Sequence, residues 1–160
     1  MRATITLREG LPEEDMLWLS QVGEEMAVTP GTTIIQQGIR PNGIFVVLRG
    51  RFDVAVDTFA DQPLAKLGAG ELIGEISFLE GSPASATIAA IEESAVLVVD
   101  NQLLNERICE DSAFAARIYR AFALIAERRL RNRVDHLAFL VEIGSSPRNR
   151  HGIGIPALDW

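Results

Sequence analysis

The stretch GAGELIGEISFLEGSPASATIAA, residues 68–90, decides how the rest of the chain is read. Gly68, Gly70, Gly74, Gly81 and Pro83 punctuate it, and Gly74-Glu75 stands directly before the short apolar run Ile76–Leu79. A glycine at position 74 allows close backbone approach and entry into a short helix whose first N–H groups lack intrahelical partners. Such N–H groups, at the positive end of the helix dipole, form a cradle for an anion. Yet no Lys or Arg follows Lys66 within the stretch. It reads as a cradle without a cation.

Working outward, the flanking segments alternate short apolar runs with turn residues. The runs are EMAVT, TTIIQQ, GIFVVLRG, RFDVAVDT, LAKLG, ATIAAI and AVLVVD; the breaks fall at Pro30-Gly31, Gly38, Asn42-Gly43, Gly50, Gly68, Gly70 and Gly81. Turn signals every 8–12 residues or so are the signature of an all-β barrel or sandwich. In RFDVAVD, Phe52, Val54 and Val56 face one way and Asp53 and Asp57 the other, the period of a half-buried strand. Before this region, LPEEDMLWLSQV (11–22) begins with Pro12 and three acids, which suits a helix N-terminus. Met16, Leu17, Leu19 and Val22 give that helix an apolar side.

The last third changes character. Asp100 is placed to cap a short helix over NQLLNERI, and Asp111-Ser112 opens a helical pattern that meets no Pro or Gly until Gly144. Phe114, Ile118, Phe122 and Ile125 form a stripe that continues through Ala126, Leu130, Val134, Leu137 and Val141. So long an apolar stripe exceeds what one side of a small β domain covers, and the remainder is expected to pack on a second copy. The dimer helix is assigned Ile118, Phe122, Ile125, Leu130, Val134 and Leu137. Three regions result: a β domain with its N-terminal helix (1–106), a long C-terminal helix (107–143) and an irregular tail (144–160).

Composition narrows the function. The net charge is −7, but residues 1–106 carry 16 acidic against 6 basic side chains and residues 107–160 carry 6 against 9. An acidic chain is a poor partner for nucleic acid. Arg128, Arg129, Arg131 and Arg133 spread around the helix beside Glu127 and Asp135, and read as a solvated, ion-paired flank. One cysteine, Cys109, excludes an internal disulfide and reads as a small, partly buried residue between helices. MRATITLREG has no apolar signal region and no run approaches a membrane span, so a cytoplasmic setting without membrane contact is expected.

The order helix, turn-rich β region, loop of the form Gly-Glu-apolar, and long helix resembles the cyclic-nucleotide-binding domain family over about residues 11–141. TTIIQQG followed by NGIFVVLRGRFDV is similar to the family's opening strands, LGAGELIGEISFLEGSPASATIAA to its phosphate-binding cassette, and SAVLVVDNQLL to its exit strand and following helix. ERRLRNRVDHLAFL resembles the dimer helix of catabolite-activator-type regulators. The resemblance implies an α+β, mainly β fold: an antiparallel, jelly-roll-like β-roll with an N-terminal helix and a long C-terminal helix. It further implies a ligand site at Gly74, Glu75, Ile76, Ser77, Ala84 and Ser85. In the family the acid at the Glu75 position accepts the ribose 2′-hydroxyl, groups at Ile76 and Ser77 hold the sugar–phosphate, and an arginine nine residues after the acid neutralises the phosphate. Here that position is Ala84, within GSPASATI. Loss of an Arg fork is expected to cost on the order of 3–5 kcal/mol of nucleotide affinity, two to four orders of magnitude. Arg40, Arg49, Arg51 and the Arg128–Arg133 cluster are the candidate replacements.

Other chemistry is absent from the pattern. His136 and His151 both fall outside the β region, so a cupin-type metal site inside a barrel is not expected. No Ser–His–Asp order, nucleotide-hydrolase phosphate loop or Cys–His pair is present. Glu75 is either a ligand acceptor or a helix-terminus acid, while Ser85 and Thr87 suit a turn running into a strand. The sequence thus points to a non-catalytic regulatory or sensor domain without a resident cofactor. Cyclic AMP or cyclic GMP is a possible ligand, weakened by the missing arginine. Signals would pass through a homodimer or a partner protein, and not to DNA, because the roughly 20 residues after Val141 are too few for a helix-turn-helix. The alternative is a ligand-independent interaction scaffold that keeps only the fold.

Overall fold

A computed structural model describes residues 7–59 and 62–145. Two short helices come first, α1 (Leu7–Gly10) and α2 (Glu13–Val22). Eight strands follow: β1 (Glu24–Val28), β2 (Thr33–Ile35), β3 (Gly43–Arg49), β4 (Phe52–Ala55), β5 (Ala65–Leu67), β6 (Leu72–Ile73), β7 (Thr87–Ala90) and β8 (Ser94–Asp100). Helix α3 (Glu75–Glu80) lies between β6 and β7, and α4 (Asn101–Glu110) and α5 (Ser112–Ser145) close the described chain. The strands form two antiparallel four-stranded sheets, in the orders β1-β8-β3-β6 and β2-β7-β4-β5. The expected β-roll, with a helix before it and a long helix after it, is what the chain adopts.

Two apolar cores share one sheet. β3 is buried on both faces: Phe45 and Val47 pack between the sheets with Phe52, Ile73, Ile88 and Val96, while Ile44 and Val46 face the helices. That explains why GIFVVLR reads as a continuous apolar run and not as an alternation. The helix-side core joins Leu7, Leu19, Leu104, Phe114, Ile118 and Phe122 to the outer face of that sheet. Strand β4 keeps the alternation expected of it, with Phe52 and Val54 in the inter-sheet core, and ends at Ala55.

Two elements escape the sequence pattern, β6 and α1, because two and four residues carry no periodic signal. In α2 the apolar side differs from the one read: Leu19 is buried, but Leu17 is exposed and Asp15 takes an interior position. Cys109 is likewise exposed, contrary to expectation. Leu104 and Ile108 hold the inward face of α4, and the next residue turns about 100° away.

The helix ends are capped as their sequences suggest. Asp100 Oδ1 accepts from the backbone N–H of Gln102 (2.7 Å) and Leu103 (3.3 Å), and Asp111 Oδ1 from Ala113 (3.1 Å) and Phe114 (3.0 Å). The described chain divides into two compact units at Ile125/Ala126. In the first, Ile118, Phe122 and Ile125 belong to the helix-side core. In the second, Leu130, Val134, Leu137 and Val141 are 64, 55, 61 and 70% exposed. The remainder of the tail reading, residues 146–160, and the side chain of His136 lie outside the described residues.

Candidate functional site

The stretch 68–90 folds as its letters direct. Gly74, with φ 92° and ψ −2°, is the left-handed N-cap of α3. A Cβ on it would stand 3.1 Å from the carbonyl oxygen of Gly43 and 3.6 Å from Cα of Ile44, so the turn is pressed against the start of β3. From this turn α3 presents Glu75 and Ser77 inward, at 2% and 7% exposure, and Ile76 outward. Its Phe78 ring meets Phe122 of α5 edge-on, with centroids 6.0 Å apart. The cassette helix is therefore tied to the first part of α5.

Ala84 and Ser85 lie after the turn that leaves α3. Ala84 is buried and forms part of the inter-sheet core, whereas Ser85 is exposed. The Ala84 amide donates to the carbonyl of Ile39 (3.0 Å), and its own carbonyl accepts from Gly38 (2.8 Å). Thr87, which follows, is also occupied by structure: its Oγ1 accepts from the Gln37 amide at 3.0 Å. The structure brings Gly74, Glu75, Ile76 and Ser77 together at one helix start, and fixes Ala84 through the Gly38–Ile39 turn.

The candidate replacement arginines go to different places. Arg40 follows the turn that holds Ala84, and its Nη2 lies 3.7 Å from where a Cβ on Gly81 would sit. It is thus beside the end of α3, at the side of the cassette turn. Arg51 is spent on Glu92 (2.8 Å), an exposed pair in which the hydrogen bond raises the arginine's pKa and lowers the glutamate's. Arg131 pairs with Glu127 along the helix.

A groove of about 730 Å³ opens elsewhere, lined by β2, the loop 36–42, β3, β8 and α4. None of Gly74, Glu75, Ile76, Ser77, Ala84 or Ser85 lines it. Sequence reasoning missed it, because its walls come from segments far apart in the chain. Among the described residues no group of three or more His, Cys, Asp and Glu side chains is placed to hold a metal, and no helix is long and apolar enough to cross a membrane.

The cyclic nucleotide-binding domain pattern matches residues 25–111, more than half of the chain. The chain belongs to the cyclic nucleotide-binding domain family. A cAMP-dependent protein kinase regulatory subunit of Mucor circinelloides f. lusitanicus is 27% identical over 116 residues, which cover 72% of this chain but only 26% of the subunit. A cyclic nucleotide-binding domain from Methylobacillus flagellatus superposes with a TM-score of 0.73 at 22% identity, covering 80% of this chain and 73% of that one. The catabolite activator protein of Thermus thermophilus superposes with a TM-score of 0.68 at 25% identity, covering 84% of this chain and 62% of that one. The family's β-roll is thereby the fold of this chain.

Proposed function

We propose that this chain is a non-catalytic sensor domain whose cassette is degenerate for cyclic AMP and cyclic GMP, and which signals through self-association of α5 or through a partner protein. The observation that carries the reading is Ala84. It stands at the position of the family's phosphate-neutralising arginine, carries no charge, and is part of the inter-sheet core. The acid and the helix start remain: Glu75 and Ser77 are inward on α3, behind the left-handed Gly74. A nucleotide phosphate would meet helix N–H groups with no guanidinium from position 84, and with the Glu75 carboxylate on the same turn.

The output side rests on α5. Leu130, Val134, Leu137 and Val141 are spaced 4, 3 and 4 apart, the spacing of a coiled-coil seam, and all are exposed. Ile118, Phe122 and Ile125, assigned with them from sequence, serve the domain's own core. The proposed seam accordingly begins at Leu130. The Phe78–Phe122 contact supplies a physical link from cassette to helix along which occupancy could bias two arrangements.

Calorimetric titration of the wild type and of Ala84→Arg with cyclic AMP and cyclic GMP tests the ligand claim. The wild type is expected to show no saturable binding at micromolar nucleotide, and Ala84→Arg to bind roughly 100-fold or more tighter, a gain that Glu75→Ala removes. Micromolar binding by the wild type would overturn the degeneracy. A stable dimer whose assembly no nucleotide alters, even in Ala84→Arg, would favour the ligand-independent scaffold.

A further inference from the structure

We draw no further inference here: the strongest candidate, the apolar groove between β2, β8 and α4 with Ile39 and Leu103 at its rim, carries none because nothing in the structure shows what covers it.

Discussion

Arg117 of α5 grips Asp15 of α2 with both arms of its guanidinium, Nε to Oδ2 at 2.6 Å and Nη2 to Oδ1 at 2.8 Å. Asp15 is 1% exposed, and Glu14 adds a longer contact to the same arginine at 3.5 Å. Parallel, charge-assisted bonds of this kind are directional as well as strong. The pair sits beside the Trp18–Phe114 edge-to-face contact (5.2 Å), over which Arg107 is stacked. The N-terminal and C-terminal helices are thus locked together on the helix-side core.

Removing one partner leaves the other without its counter-charge, which is more damaging than removing both. Asp15→Ala is expected to lower the melting temperature by about 5–10 °C. Arg117→Ala in the Asp15→Ala background should cost little more. Additive losses in a double-mutant cycle would show that the two side chains act independently.

A pH dependence follows from the cap of α5. Hydrogen bonding from the Phe114 amide, then the charges of Arg107 and Arg117 and a further bond from Ala113, outweigh desolvation and hold Asp111 below the ordinary aspartate value. A carboxylate whose pKa is depressed by folding contributes stability that is present above its unfolded value, near 4, and is lost as pH falls through the folded one. The melting-temperature advantage of the wild type over Asp111→Asn should therefore be constant above about pH 5 and shrink below pH 4. An advantage unchanged down to pH 2.5 would dismiss the charge as its source.

Gly74 is the residue that the cassette backbone needs. With φ at 92° it occupies a region that L side chains avoid, at a cost of about 1–2 kcal/mol for alanine. The carbonyl of Gly43 at 3.1 Å leaves little room for the added methyl. Gly74→Ala should destabilise the domain by roughly that amount or slightly more, as read by chemical denaturation. A neutral substitution would mean that the turn relaxes without consequence.

The exposed stripe on α5 makes the prediction about assembly. Leu130→Glu with Leu137→Glu should convert a dimer into a monomer in sedimentation, while the melting of the β-roll stays unchanged because its core ends at Ile125. A wild type that sediments at 17.5 kDa at high micromolar concentration would refute the seam.

Local patterns in the chain specify the alternation of strands and turns, the capping aspartates at 100 and 111, the long terminal helix, and the glycine-led helix start at Gly74 with Ala84 nine residues after Glu75. Each of these is local: a turn residue, a cap or a period of 2 or 3.6 acts within a few positions of itself. Tertiary packing settled the features that depend on residues distant in the chain. It set Ile118, Phe122 and Ile125 inside the core and left Leu130, Val134 and Leu137 outside, a division that one uninterrupted stripe does not reveal. It drew Asp15 inward because Arg117, 102 residues away, supplies its counter-charge. It also formed the Arg40 groove from β2, β8 and α4, where concavity arises from packing and leaves no periodic mark in the chain.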